Sequence, residues 1–230
     1  MDSSRTHRGF TLIELLVALF VMALMAGLSW RGLDAMLRSR AQVQAHSEQL
    51  HALQVGLAQW VTDLDALLVL PQTPALDWDG RALRLTRRVQ GEAGIQVVAW
   101  SRRGDAGGQW LRWQSQPLQT RAQLEDAWAR AAQWAQNPSA AERQREVAVV
   151  PLLQWQVFYY RADAWTNPLS SGNAAPPPAT APAAAGAPPS NDSSGLPDGV
   201  RLVLTLPDHY AVPGTLTRDW VRLSAAGGKP

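Results

Sequence analysis

The chain has 230 residues, no cysteine, 46% hydrophobic residues and a formal charge of +2. Without cysteine it has no disulfide framework, thiolate zinc site, Fe–S cluster or cysteine nucleophile, and so small a charge does not by itself call for a polyanionic partner. Twenty of the twenty-one basic residues are Arg, Lys229 being the exception, which reads as the codon bias of a GC-rich genome. Apolar residues and prolines are clustered. Residues 10–28 carry one charge, Glu14, and eight of the sixteen prolines fall in 168–197. These two blocks exclude a simple soluble globular domain, and removing them with the first nine residues leaves roughly 170 residues, enough for one ordinary domain.

The apolar run 10–28 would span about 28 Å as a helix, close to one hydrocarbon core. Arg5 and Arg8 precede it, so the positive-inside bias leaves residues 1–9 in the cytoplasm and sends the rest out. A cleaved signal peptide would need small residues at its cleavage site, and Leu24-Met25-Ala26 has Leu where one is required. A plain signal anchor is the second alternative. Neither accounts for Glu14, because a carboxylate at the centre of such a span costs about 2.5–3.5 kcal/mol on insertion scales and is usually kept because something pairs with it.

The segment Arg8-Gly9-Phe10-Thr11-Leu12-Ile13-Glu14-Leu15-Leu16-Val17-Ala18 resembles the class III signal of type IV pilins and type II secretion pseudopilins. The resemblance implies cleavage by prepilin peptidase between Gly9 and Phe10, N-methylation of Phe10, and a Glu14 carboxylate that meets a terminal ammonium when subunits assemble.

No proline occurs before Pro71, so the spacing allows one helix from Phe10 to about Leu68, with Pro71 and Pro74 ending it. Past the membrane, Met36, Val43, Leu50, Leu57 and Leu64 recur every seven residues, with Leu53, Trp60 and Leu67 three further on. Arg40, Gln44, Glu48, Gln49 and Gln59 occupy the other positions. This predicts one face packed on a sheet of the same chain; a coiled coil is the rival, interrupted by His46 and Gly56. The stretch Trp30-Arg31-Gly32-Leu33-Asp34-Ala35-Met36-Leu37-Arg38-Ser39-Arg40 is similar to J-type minor pseudopilins of type II secretion systems, which carry a comparable Gly-Leu-Asp just beyond the membrane.

The rest reads mainly as strands. Leu83, Leu85 and Val89 alternate with Arg84, Thr86 and Arg88, and segments 95–100 and 110–113 flank a Gly-rich loop as a hairpin. Thr120-Arg121-Ala122-Gln123 is a capping box opening a helix with Leu124, Trp128 and Ala131 on one face, stopped by Asn137-Pro138. Strand patterns follow at 147–150, 152–160, 200–206 and about 217–223. Gly80-Arg81-Ala82-Leu83-Arg84-Leu85, Trp155-Gln156-Val157-Phe158-Tyr159-Tyr160 with Trp165, Leu196-Pro197-Asp198-Gly199-Val200-Arg201-Leu202 and Gly214-Thr215-Leu216-Thr217-Arg218-Asp219-Trp220 extend the J-type resemblance along nearly the whole chain. The Pro/Ala-rich block 168–197 departs from the family's short connection. Its composition predicts a mobile loop, a spacer or species-specific insert.

Catalytic patterns are missing. His7, His46, His51 and His209 are scattered, His46 and His51 being five apart instead of the three or four that share a helix face. There is no nucleophile elbow or phosphate-binding glycine loop. Asp63 and Asp65 diverge on a helix, and Glu125 and Asp126 belong to an exposed helix face. Asp77-Trp78-Asp79-Gly80 reads as a turn before a strand, with calcium the alternative, and Arg103-Gly104-Asp105 as a chance hairpin turn. Arg84, Arg87, Arg88, Arg102, Arg103 and Arg112 near Trp100, Trp110 and Trp113 would suit a single-strand nucleic-acid platform, or a solvated sheet face over a Trp core, which is the reading taken.

The expectations are therefore an α+β, pilin-like fold, in which a long N-terminal transmembrane and amphipathic helix packs on antiparallel sheet. Residues 1–9 form a cytoplasmic leader, 10–29 the membrane span, 30–70 the continuing amphipathic helix, and 71–230 a periplasmic body. No enzyme activity, cofactor, metal or nucleic acid is expected. The resemblance implies a single-pass inner-membrane protein that meets prepilin peptidase and the major pseudopilin, and joins I-type and K-type minor pseudopilins in a pseudopilus tip complex. The alternative is a minor pilin of a type IV pilus or DNA-uptake pseudopilus, against which the lack of a C-terminal cysteine pair counts.

Overall fold

The computed structural model describes residues 11–89, 91, 94–104, 107–161, 163–170 and 196–222. The chain divides into two compact units, one ending at Glu48 and one beginning at Gln49. Helix α1, Leu12–Asp65, falls partly in each. In the first unit it is the only element among the described residues, and its side chains are exposed. Thr11 Oγ1 accepts from the Glu14 amide at 3.4 Å, satisfying one of the donors a helix start leaves open. Arg38 pairs with Asp34 at 2.7 Å and Gln44 donates to Glu48 at 2.9 Å, both one turn apart.

The second unit holds two antiparallel sheets. Strands β1 (Leu76–Trp78), β2 (Ala82–Arg88), β3 (Ile95–Arg103), β4 (Gln109–Gln114) and β5 (Glu146–Pro151) are neighbours in chain order. Helices α2 (Arg121–Gln136) and α3 (Ala140–Arg143) lie between β4 and β5 in sequence. Strands β6 (Gln154–Arg161), β7 (Ala164–Thr166), β8 (Gly199–Leu206) and β9 (Gly214–Val221) form the second sheet in the order β7-β6-β8-β9. The 168–197 block thus connects two strands of one sheet. The expectation of a mobile loop there concerns 171–195, which lie outside the described residues.

The two-residue period of the first sheet sorts its side chains between two cores. Leu83, Leu85, Val98, Trp100, Trp110 and Val150 join Leu53, Trp60 and Leu64 of α1 and the inward residues Trp155, Val157, Leu202 and Leu204 of the second sheet. On the other face, Ala82, Val97, Ala99, Leu111 and Trp113 meet Leu124, Ala127, Trp128, Ala131 and Trp134 of α2. The alternation in β2 predicted one buried face and one solvated face. Instead α2 covers the second, so Arg84 lies over the Trp128 ring and Thr86 accepts from the Trp128 indole.

The capping box of α2 forms as read: Thr120 Oγ1 accepts from the Gln123 amide at 3.3 Å and Gln123 Oε1 from the Thr120 amide at 3.2 Å. The hairpin of β3 and β4 also forms, across a turn in which Gly104 takes φ of 103°. Helix α1, however, ends at Asp65, short of the expected 68–70. Tertiary pairing stops it before either proline: the Leu68 amide donates to Thr86 and the Arg88 amide to Ala66, drawing the chain alongside β2. Of the heptad positions, Leu53, Trp60 and Leu64 are buried and Leu50, Leu57 and Leu67 half-buried, whereas Met36 and Val43 are exposed.

Candidate functional site

Glu14 lies in the first turn of α1, where a carboxylate faces the positive end of the helix dipole. Its amide is held by Thr11 and its side chain is exposed, among exposed Leu12, Ile13, Leu15, Leu16 and Val17. The helix is long and apolar enough to cross a membrane, and none of its most apolar stretch is buried within the chain. Apolar side chains in such number require lipid or other protein around them. Gly9 and Phe10, the expected cleavage and methylation positions, lie outside the described residues.

The most concentrated polar site in the second unit is one that sequence reasoning missed. Asp63 is fully buried and gathers four partners. Trp100 Nε1 donates to Oδ2 at 2.9 Å, Arg112 binds both oxygens at 2.8 and 2.9 Å, Gln59 Nε2 donates to Oδ1 at 2.9 Å, and Arg87 is ion-paired to Oδ1. One helix carboxylate thereby ties α1 to β2, β3 and β4. The available signal was its position three residues after Trp60 and next to Leu64, on the face read as packed. Asp63 and Asp65 do diverge: Asp65 accepts from the Trp220 indole of β9 at 2.7 Å.

Of the arginines near the tryptophans, Arg87 and Arg112 join Asp63, Arg88 is exposed, and the other three have partners elsewhere. Arg84 pairs with Asp77 and, at 3.5 Å, with Asp79; Arg103 pairs with Glu146, and Arg102 Nε donates to the Leu152 carbonyl at 2.9 Å. Trp100, Trp110 and Trp113 are wholly buried. A stacking platform needs exposed rings, and these three offer none. Asp77 and Asp79 act in the turn as read, Asp79 Oδ1 accepting the Arg81 and Ala82 amides at 2.9 and 2.7 Å around Gly80, whose φ is 87°. His46, His51 and His209 are exposed, and no three His, Asp or Glu side chains are grouped for a metal among the described residues.

On the second sheet's outer face, Arg201 makes two 2.7 Å hydrogen bonds to Asp219 and lies 4.2 Å from the Trp165 ring centre. The hydrogen bond from Arg201 lowers the Asp219 pKa against a smaller opposing effect of desolvation, and the same bond raises that of Arg201. Burial raises the Tyr159 and Tyr210 pKa values. Tyr210 donates to the Gln49 carbonyl of α1 at 2.8 Å.

Residues 4–30 match the family model described as Prokaryotic N-terminal methylation motif. No curated protein matches the chain. The matched motif is the type IV pilin-like prepilin signal, and together with the α+β fold of a long N-terminal helix and antiparallel sheets it indicates a type IV pilin-like protein. Such a signal goes with prepilin peptidase processing, assembly with other pilins and a structural role, and the apolar helix fits single-pass inner-membrane anchoring.

Proposed function

We propose that the chain is a minor pseudopilin of a type II secretion system, of the J type. After cleavage between Gly9 and Phe10 and methylation of Phe10, it joins I-type and K-type minor pseudopilins in a tip complex. That complex starts a filament of the major pseudopilin, which supports export of folded proteins from the periplasm across the outer membrane. The observation that carries the reading is Glu14, an exposed carboxylate in the first turn of an apolar helix inside the matched motif. Its charge is costly in lipid and is relieved when a neighbouring subunit's terminal ammonium meets it, so desolvation favours assembly. The Gly32-Leu33-Asp34 stretch favours the J type, and the absence of cysteine favours a secretion pseudopilin over a pilus subunit.

A minor pilin of a type IV pilus or DNA-uptake pseudopilus is the second reading, favoured by the same methylation motif. Co-expression of the full chain with candidate I-type and K-type partners, followed by detergent extraction and affinity capture, separates the two. Recovery of a stoichiometric complex supports the tip-complex reading. Capture of pilus subunits and none of those partners supports the alternative.

A further inference from the structure

We propose that Trp30 and Arg31 form the membrane-exit anchor of α1, docking on the phospholipid headgroup layer and setting the depth of Glu14 in the bilayer. The inference rests on the membrane-anchored reading above and adds which side chains hold the end of the span and what they bind there. The apolar stretch closes at Leu28, and Trp30 follows at 73% exposure. Arg31 is exposed and has no acidic partner among the described residues, whereas Arg38, two turns on, is neutralised by Asp34 at 2.7 Å. An unpaired guanidinium adjoining a hydrocarbon-length apolar surface complements the phosphates at that level, which its planar fork of donors suits. An indole, with an apolar body and one N–H, partitions to the same interface. Among the described residues of the first unit, Asp34 is the acidic side chain nearest Arg31 in sequence, and it is paired with Arg38.

The consequence concerns Glu14. Sixteen residues separate it from Trp30, about 24 Å along the helix axis, in a hydrocarbon layer about 30 Å thick. With Trp30 held at the outer boundary, Glu14 therefore lies about 6 Å inside the inner one. From that depth the carboxylate reaches the cytoplasmic headgroups, so its insertion penalty falls below that of the bilayer midplane.

The cysteine-free chain allows a direct test in the full-length, membrane-inserted protein. Single substitutions Leu24→Cys, Leu28→Cys, Gly32→Cys, Leu33→Cys and Leu37→Cys are probed from the periplasmic side with a membrane-impermeant maleimide. Positions 24 and 28 are expected to be protected, and 32, 33 and 37 to be labelled. Adding Trp30→Leu with Arg31→Leu extends the apolar stretch to Leu33, and labelling at 32 and 33 should be lost. Trp30→Tyr with Arg31→Lys should retain the original boundary. Unchanged labelling at 32 and 33 in the double-Leu background, with 24 and 28 still protected, overturns the anchor. Labelling at 24 as fast as at 37 overturns the membrane reading itself, and the anchor with it.

Discussion

Gly56 of α1 and Val149 of β5 meet so closely that a Cβ on Gly56 would lie 2.3 Å from Val149 Cγ1. The β4–β5 pairing shifts from Trp110↔Val150 to Leu111↔Ala148, leaving Val149 without a register partner. Such a bulge re-aims the extra residue, and here its side chain fills the space the glycine leaves on the helix. Replacing Gly56 by Ala should therefore cost about 1–3 kcal/mol through overpacking. In a Val149→Ala background the cost should shrink, because the closest clash is gone and the remaining contact, Trp110 Cζ3 at 3.3 Å, opposes a helix preference for Ala over Gly of about 1 kcal/mol. Urea unfolding of the four proteins, followed by tryptophan fluorescence, gives the cycle.

The Asp63 cluster makes a second, larger prediction. Asp63→Ala leaves the buried Arg87 and the half-buried Arg112 without their counter-charge and should cost about 3–5 kcal/mol. Replacing all three, with Asp63→Leu, Arg87→Met and Arg112→Met, should recover much of that loss because no unpaired charge remains buried. A triple variant no more stable than Asp63→Ala would show that the indole and amide bonds, not charge balance, dominate the site.

The Asp219–Arg201 pair predicts a pH effect. Asp219 has a lowered folded pKa, chiefly from the Arg201 hydrogen bond. Its contribution is therefore fully present above the unfolded carboxylate value of about 3.9 and is lost as pH falls through the lower folded value. Asp219→Asn should be less stable than the parent at pH 6, and the difference should close below about pH 4. The pair is partly exposed, so the effect is modest and weaker in salt.

The elements legible in the sequence were those whose signals are local. The capping box Thr120–Gln123, the β3–β4 hairpin and the Asp79 turn each depend on residues within one short segment. The other features depend on distant partners. Asp63 binds side chains 24, 37 and 49 residues away. The end of α1 is set by pairing with β2, although the prolines nearby suggest a stop of their own. Strands β5 and β6 are nearly continuous in sequence, yet the Leu152 amide donates to Gly108, just before β4 of the first sheet, and the Leu153 amide to Thr205 of β8 in the second. The three-residue strands β1 and β7 and the single-turn α3 are too short to carry a periodic signal. The motif around Glu14 was read from local residues alone, and Gly9 and Phe10 remain proposals from it.

Processing supplies a fourth prediction. If a peptidase cuts between Gly9 and Phe10, Gly9→Ala should retain limited cleavage and Gly9→Leu should abolish it, because the side chain would occupy the position adjoining the cut bond. Intact-mass measurement of the purified protein reads both the loss of nine residues and the methyl group on Phe10. Unchanged processing of Gly9→Leu would contradict the assignment.

The central claim is that the Glu14 carboxylate acts in assembly and not in insertion. The most direct measurement compares the full chain and its Glu14→Ala variant for membrane insertion and for recovery with I-type and K-type partners. Insertion should be equal or slightly better for the variant, since a charge has left the apolar span, while its incorporation into the complex should fall. Equal incorporation of the two proteins would contradict the account.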